Sequence, residues 1–343
     1  KSYKTNIGLE MMLWGKLNLT LDYYWERRKD ILIQRSSLPS MAGFDASIYA
    51  NMGEMDNKGV DANLEYQTRI GNKVGLRLFG NLTYSKNKIV FRDEPAMQYA
   101  YQKSEGTRYG EFYGYIAEGY FQSEEEIKKS PRQMRELAPG DIKYKDLNDD
   151  GVIDANDQCY LGKSWFPSWS YGMGFNINYH NFDLALFFQG VSDVSIMANG
   201  GSIDTGNGDW GASGVGIVPF TGMGLNPSNV ITKALDRWTA DNPRADAWYP
   251  RMTANATTND NNYVNSTHWL KDGSYLRLKQ ASLGYTLENK KLMDKGIEYL
   301  YFYLSGQNLL TFSKFKLWDP ELGSNGAKYP LSRMVTLGMR VSF

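Results

Sequence analysis

The sequence is poor in the residues that build disulfides, metal centres and many active sites. Cys159 is the single cysteine among 343 residues, which excludes an internal disulfide framework. The two histidines, His180 and His268, lie in no recognisable motif, so a histidine-based metal or catalytic centre has little material. No nucleophile–base pair and no cofactor motif occurs, and we therefore expect no enzymatic activity.

Excess charge of one sign and long apolar runs are also missing. The 38 basic residues are balanced by 38 acidic residues, so the sequence gives no electrostatic basis for binding nucleic acid. A run of about 18 apolar residues is absent, which excludes a membrane-spanning helix. The first residues lack the apolar core of a signal peptide and resemble a strand already under way.

What the sequence has in quantity is aromatic residues, at 14%, and apolar residues that recur with a period of two. From Leu17 to Trp25, odd-numbered positions are apolar or aromatic and most even-numbered positions are polar, which is typical of a two-faced strand. The Trp14-Gly15 link before Leu17 predicts a hairpin. A phase slip between Leu278 and Ala281 predicts a β-bulge. The alternation recurs in 60–66, 76–84, 171–179, 182–188, 300–304 and 335–343.

Three features favour a transmembrane β-barrel over a soluble β-sandwich, which also alternates. The predicted strands are long, about nine to thirteen residues, as tilted membrane strands are. Tyr23, Tyr84 and Tyr179 lie near the ends of apolar faces, as in an interfacial girdle. Tight turns alternate with long loops, as periplasmic turns and extracellular loops do. We predict an all-β antiparallel barrel; about ten strands either close by themselves or belong to a plugged barrel of about 22 strands.

Five segments resemble those of one family, the SusC-like (starch-utilisation-type) TonB-dependent outer-membrane transporters. They follow the family's order along the chain, although 236–252 carries two additional residues before Pro250. The segments are 38–66 (LPSMAGFDASIYANMGEMDNKGVDANLEY), 110–127 (GEFYGYIAEGYFQSEEEI), 236–252 (DRWTADNPRADAWYPRM), 272–287 (DGSYLRLKQASLGYTL) and 304–321 (LSGQNLLTFSKFKLWDPE).

The resemblance implies that residues 1–343 are the C-terminal barrel portion of such a receptor, about the last ten of about 22 strands. Its plug domain and earlier strands are expected upstream. The implied location is the outer membrane of a Gram-negative bacterium, as a multi-pass β-barrel. The aromatic Phe343, which ends an amphipathic strand, resembles the signal that barrel-assembly machinery reads.

The function implied by the resemblance is TonB-dependent import of an oligomeric nutrient, a glycan or a peptide. This chain is expected to form barrel wall and extracellular vestibule. The implied partners are a SusD-like surface lipoprotein lid, the remaining barrel and plug of the same transporter, the TonB complex acting through that plug, and outer-membrane lipid. Two alternatives are a self-contained small porin or adhesin barrel and a secreted carbohydrate-binding β-sandwich.

Residues 146–157, DLNDDGVIDAND, match the spacing of calcium loops of the EF-hand or dockerin type. Gly151 permits the sharp turn such a loop needs. The segment 140–162 is accordingly predicted to be an extracellular loop that binds structural Ca²⁺, although a solvated Asp/Asn turn has the same composition. The predicted ligands are Asp146, Asn148, Asp150, the carbonyl of Val152, Asp154 and Asp157.

Three tryptophans in predicted loops are candidates for lining a substrate path. Trp210, Trp248 and Trp269 have flat apolar rings on which sugar rings stack. The alternative is that they pack the loops against one another or contact the lid, because tryptophan is also enriched at protein interfaces.

Overall fold

The large element of the structure is a nine-stranded antiparallel sheet. The computed structural model describes residues 1–38, 43, 47–71, 73–134, 136–199, 232–252, 260–294, 296–324, 326 and 329–343. In these residues no helix is both long and apolar enough to cross a membrane. The strands of the sheet, in spatial order, are β1 (Ser2–Leu13), β2 (Leu17–Gln34), β3 (Tyr49–Ile70), β4 (Val74–Phe91), β9 (Trp169–Tyr179), β10 (Phe182–Ser192), β13 (Tyr275–Leu287), β14 (Tyr299–Ser313) and β15 (Met334–Ser342).

The remaining elements are short and lie in the connections. The short strands are β5 (Glu111–Gly114), β6 (Ala117–Tyr120), β7 (Ile142–Tyr144), β8 (Cys159–Ser164), β11 (Ser195–Met197) and β12 (Leu270–Asp272). They form three two-stranded ribbons, which pair β5 with β8, β6 with β7, and β11 with β12. The helices are α1 (Glu124–Lys129), α2 (Asp260–Tyr263) and α3 (Lys290–Met293), with 3₁₀ turns at Ala100–Gln102, Ala155–Asp157, Thr232–Leu235 and Pro320–Leu322.

The two ends of the sheet differ in their connections. At one end, tight turns join β1 to β2, β3 to β4 and β9 to β10. Trp14 and Gly15 have positive φ angles of 53° and 63°, and the Lys16 amide donates to the Leu13 carbonyl at 3.0 Å, so a tight turn joins the paired strands and the predicted hairpin is confirmed. The long connections 92–168, 193–274 and 314–333 all leave from the opposite end.

The register places apolar residues of neighbouring strands side by side on one face. That face is uncovered by the rest of the described chain, and Leu337 is 81% exposed. A continuous apolar face without a protein cover is the arrangement of a lipid-facing barrel wall. It also makes the secreted β-sandwich alternative wrong, because a sandwich buries such a face against a second sheet. One row consists of Leu76, Ile177, Leu184, Leu283, Leu304 and Leu337.

The opposite, lumenal face is predominantly polar in the middle of the sheet. Directly paired positions there carry amides, glycine and one arginine, in a row of Asn63, Asn81, Gly172, Gln189 and Arg277. Alternation between the two faces is what a water-filled or plugged barrel requires.

The irregularity predicted in the thirteenth strand is confirmed. On β13, Leu278 and Gln280 pair with consecutive residues of β10, Phe188 and Phe187, and Lys279 is left as the extra residue. The pairing of β13 with β14 is irregular at the same place, where Leu278 pairs with Leu310 and Gln280 pairs with Gln307. A bulge moves the apolar phase by one position, which explains the slip seen in the sequence.

The predicted all-β, antiparallel transmembrane barrel class is confirmed, and the main sheet of the described residues has nine strands. β1 and β15 form the edges of the sheet, so the described strands do not close into a barrel among themselves. The strand count of the whole barrel stays a prediction.

Candidate functional site

The long connections fold together into a layer with its own core at one end of the sheet. We call this the loop layer; it comprises the described residues of 92–168, 193–274 and 314–333. Aromatic residues from distant parts of the chain meet in it, and Trp269, Tyr249 and Tyr144 have at most 1% of their surface exposed. The main core cluster is Phe112, Tyr115, Tyr120, Ile142, Tyr144, Ile153, Met197, Ala234, Trp238, Ala247, Tyr249 and Trp269.

Hydrogen bonds join the first long connection to the second. The Tyr120 hydroxyl donates to the Ala247 carbonyl at 2.9 Å, and the Ala117 amide donates to the Thr267 hydroxyl at 2.9 Å. Each bond joins residues more than a hundred positions apart in sequence, so neither connection reaches this shape without the other. The loop layer is therefore one packed unit rather than a set of separate loops.

A buried polar network fixes the centre of the loop layer. Arg251 donates two hydrogen bonds of 2.9 Å to the two carboxylate oxygens of the buried Asp141. The Asn262 side-chain amide donates to Asp141 at 2.8 Å. The backbone carbonyl of Asn262 accepts a hydrogen bond from the indole N–H of Trp269 at 2.7 Å. Buried charges and amides stabilise a structure only when they are paired in this way.

His268 is enclosed between two of these segments. Its Nε2 lies 3.3 Å from the Tyr120 hydroxyl and 3.2 Å from the Trp248 carbonyl. Burial, with a smaller contribution from the nearby Lys271 ammonium, lowers the pKa of His268 to about 3. The imidazole is therefore neutral at neutral pH and serves as a structural hydrogen-bonding group.

A cavity of about 500 Å³ opens where the loop layer meets the ends of β10 and β13. Lys271 lines it, and the Lys271 ammonium lies 5.1 Å from the centre of the Trp248 ring, a cation–π distance. Within the described chain this ammonium makes no hydrogen bond and no ion pair, and burial lowers the pKa of Lys271. We call it the rim cavity; Lys163, Asp193, Thr267, Asp272 and Ser274 also line it.

A second feature ties the 314–333 connection to the lumenal face of the sheet. Arg277, only 1% exposed on β13, donates from Nη2 to Asp319 Oδ1 at 2.6 Å. Its Nη1 lies 3.9 Å from Glu321 Oε2, and the Tyr275 hydroxyl donates to the other Glu321 oxygen at 2.7 Å. The paired charges fix this connection against the barrel wall from the inside.

The predicted calcium segment is a compact turn whose carboxylates accept hydrogen bonds from its own backbone. Asp146 accepts from the amides of Asp149 and Gly151, both at 2.8 Å, and Gly151 has a φ of 81° that favours glycine. Asp157 is buried and accepts from the amides of Leu147 and Asp154 at 2.8 Å. Among the described residues, no three His, Cys, Asp or Glu side chains converge as a metal site. Calcium binding stays a prediction.

The structure separates the three candidate tryptophans. Trp269 has no exposed surface, so it is a core residue and does not contact a solute in this arrangement. Trp248 is half-buried and packs edge-on against Trp269 with ring centres 5.6 Å apart. Trp210 lies outside the described residues. The terminal Phe343 is 84% exposed at the end of the last strand, and its role as an assembly signal stays a prediction.

Two charged residues important for the site had escaped sequence reasoning. Arg277 lies in the lumenal phase of its strand, and an inward-facing arginine is a signal that the alternation itself provides. Lys271 carries no comparable signal, because its burial beside Trp248 depends on contacts between distant segments.

Comparisons with known proteins agree with this architecture. The family model described as TonB dependent receptor-like, beta-barrel, matches residues 1–309. The chain is 27% identical to TonB-dependent receptor P3 of Formosa agariphila over 100% of its own length and 34% of that protein. It is 23% identical to TonB-dependent receptor SusC of Bacteroides thetaiotaomicron, again over 100% of the chain and 32% of the relative.

Among solved structures, the RagAB peptide importer in its open-open state superposes with a TM-score of 0.73 at 23% identity. The match covers 100% of this chain and 34% of that one. The chain thus spans about a third of the length of the relatives it matches. Its uncovered apolar face, polar lumenal face and one-sided long loops have the form of an outer-membrane barrel wall of Gram-negative bacteria. With the family model matching residues 1–309, the chain belongs to the TonB-dependent receptor β-barrel family.

Proposed function

We propose that this chain forms part of the wall and extracellular vestibule of a TonB-dependent importer of an oligomeric nutrient, a glycan or a peptide. The observation that carries the proposal is the loop layer, which packs as one unit above the sheet and is tied to its lumenal face through Arg277 and Asp319. Such a layer provides a shaped extracellular entrance to the barrel lumen. The family supplies the source of energy, through TonB acting on a plug.

The rim cavity is the proposed contact with the nutrient. Lys271 lines this cavity, and its ammonium, which makes no ion pair within the described chain, offers attraction to a carboxylate of the nutrient. Trp248 supports that ammonium, with its ring centre 5.1 Å away. The Lys271 ammonium is expected to bind an acidic oligomer more tightly than a neutral one. The similarity to the RagAB structures, which are described as a peptide importer, favours a peptide as the nutrient. The SusC relative belongs to the starch-utilisation type of receptor.

A SusD-like surface lipoprotein is the proposed partner, seated on the loop layer. The similarity to SusC and to RagAB supports this pairing. Purification of the intact receptor from outer membranes, followed by mass spectrometry, tests it. A lipoprotein and a plug-bearing polypeptide in the same complex are expected. A lone folded membrane species containing only this chain would support the small porin or adhesin alternative instead.

Uptake measurements test the import proposal. Cells that carry the intact receptor are given fluorescent oligosaccharides and oligopeptides, with and without dissipation of the proton gradient. Lys271→Gln is expected to reduce energy-dependent uptake of an acidic oligomer about tenfold, because a charge-assisted contact to a ligand contributes about 1.5 kcal/mol. Lys16→Gln is the matched control, since Lys16 is exposed in a turn at the opposite end of the sheet. Uptake that persists without the gradient would contradict active import.

We also propose that the 140–162 segment binds one structural Ca²⁺ through the six predicted ligands. The spacing of the oxygen donors supports calcium, as does the tight turn at Gly151. Ca²⁺, and not Mg²⁺, is expected to slow hydrogen exchange of 146–157 in the intact receptor. Asp146→Asn is expected to abolish that protection, whereas Asp149→Asn, beside the ligand positions, is expected to retain it. Equal exchange with Ca²⁺ and with a chelator would contradict the proposal.

A further inference from the structure

The outward face of the sheet changes character abruptly at the end that carries the long loops. Going up β2, β3 and β4, a row of Leu21, Ala62 and Leu82 is followed by a row of Tyr23, Val60 and Tyr84. The next row on the same face is Trp25, Lys58 and Lys86, and the one beyond it is Arg27, Asp56 and Lys88.

Three lysines of these upper rows form a group that we call the lysine cluster: Lys58, Lys86 and Lys88. Their side chains are exposed, and within the described chain none of them forms an ion pair. The other charges nearby pair with one another, because Arg27 binds both oxygens of Asp56 at 2.6 Å and the Lys29 ammonium lies 3.7 Å from Glu54. The patch therefore carries about three uncompensated positive charges on two adjacent strands.

The lysine cluster surrounds a recess rather than a flat surface. A cavity of about 290 Å³ is lined by the three lysines together with Tyr23, Trp25 and Asp56. Like charges that face each other across neighbouring strands, as Lys58 and Lys86 do, destabilise a sheet unless a counter-charge is present. The recess is where such a counter-charge has room.

The depth of the recess in the membrane indicates which anion is available. Aromatic rows of a barrel lie at the boundary between acyl chains and headgroups, and here Lys58 and Lys86 lie one row, and Lys88 two rows, beyond Tyr23 and Tyr84. Long loops lie on the extracellular side of outer-membrane barrels, so the cluster faces the headgroups of the outer leaflet. Phosphate groups at that depth are attracted by lysines close to the surface.

We propose that the lysine cluster binds the phosphate of a glycolipid headgroup in the outer leaflet. The phosphate lies among Lys58, Lys86 and Lys88, the sugar carrying it packs on Trp25 and Tyr23, and its acyl chains follow the leucine rows below. This assigns to the outward wall a specific lipid contact, independent of which nutrient the receptor imports and of whether it imports one.

Native mass spectrometry of the intact receptor, titrated with monophosphorylated lipid A, tests this assignment. Replacing the three lysines together (K58Q, K86Q and K88Q) is expected to weaken binding about a hundredfold, since each lysine near an anionic surface contributes about fivefold. The matched control replaces Lys16, Lys73 and Lys291 with Gln; these lysines are exposed, free of ion pairs in the described chain and located at the turn end. The control is expected to change binding by less than about threefold.

Two further arms separate the sources of phosphate. Dephosphorylated lipid A is expected to bind the unchanged receptor as weakly as phosphorylated lipid A binds the triple variant. Inorganic phosphate at the same concentration is expected not to displace the lipid; displacement would mean a free-anion site and would overturn the assignment. Equal lipid binding by the triple variant and its control would overturn it too. If the triple variant fails to assemble, K86Q alone, with an expected loss of about fivefold, decides the matter.

Discussion

The sheet and the loop layer use the same kinds of residue in opposite ways. Leu337 on the outward face is 81% exposed, whereas Trp269 in the loop layer has no exposed surface. In water, burial of apolar surface stabilises a fold, and the loop layer follows that rule with an aromatic core. The apolar face of the sheet is instead matched to a surrounding solvent that is itself apolar. The difference indicates that one chain contains a membrane-adapted part and a water-adapted part.

The two parts also differ in how their contacts are distributed along the sequence. Strands of the sheet mostly pair with the next strand along the chain, through regular antiparallel registers. The loop layer depends on single bonds between distant segments, such as Tyr120 to Ala247 and Asp141 to Arg251. The loss of one contact in the sheet is therefore distributed over the hydrogen bonds of the neighbouring strand pairs. The loss of one core contact in the loop layer affects several segments at once.

The largest expected effect comes from emptying the core of the loop layer. Trp269→Ala is expected to lower the free energy of unfolding of this layer by about 3–5 kcal/mol, through lost burial and the cavity left behind. Hydrogen exchange of the intact receptor in detergent would then show faster exchange of β7 and β12 and unchanged exchange in β14. Trp14→Ala, at an 80% exposed position, is the control. Equal acceleration in both parts would mean that they do not fold as separate units.

A charge on the outward face tests the other half of the comparison. Leu304→Arg is expected to destabilise the barrel by about 2–4 kcal/mol in lipid, because the side chain faces hydrocarbon. The adjacent Ser305→Arg places the same charge on the lumenal face and is expected to cost less than about 1 kcal/mol. Urea unfolding of the two variants in vesicles measures both values. Similar losses would contradict the assignment of the two faces.

The smallest expected effect, taken per pH unit, is a dependence of the stability of the loop layer on pH. Burial holds the pKa of His268 at about 3, below the ordinary value near 6.5. Between these values the unfolded layer binds a proton that the folded layer does not, so stability falls as the pH drops from about 6.5 toward 3. The slope is at most about 1.4 kcal/mol per pH unit, the value for one proton. His268→Asn is expected to reduce this dependence of stability on pH, measured by thermal unfolding of the intact receptor. An unchanged slope would mean that other titrating groups cause it.

Much of the sheet was predictable because strand alternation is a local property. Odd positions from Leu17 to Trp25 are apolar, and they lie on the outward face in one continuous row per strand. The Trp14-Gly15 turn and the bulge at Lys279 were equally visible, since each is encoded by a few neighbouring residues. Family segments spread along the chain added the outer-membrane barrel.

The loop layer was less accessible to the same reasoning. Trp269 was a candidate for lining a substrate path and is instead a core residue, because the loops that cover it come from both long connections. Loop residues have no fixed period, so nothing local distinguishes a buried tryptophan from one that faces solvent. Lys58, Lys86 and Lys88 are unremarkable as individual lysines, and only the register of β3 and β4 brings them together.

The sequence by itself therefore determined the strands, the face that each side chain occupies, the turns between strands and membership of a transporter family. These features depend on periodicity and on short motifs, which contacts between neighbouring residues impose. Among the described residues, the tertiary structure alone decided which aromatic rings are buried, which ammonium lacks an ion pair and where the unpaired charges gather. Those outcomes depend on contacts between residues far apart in the chain, whose meeting follows from the packing of the whole fold.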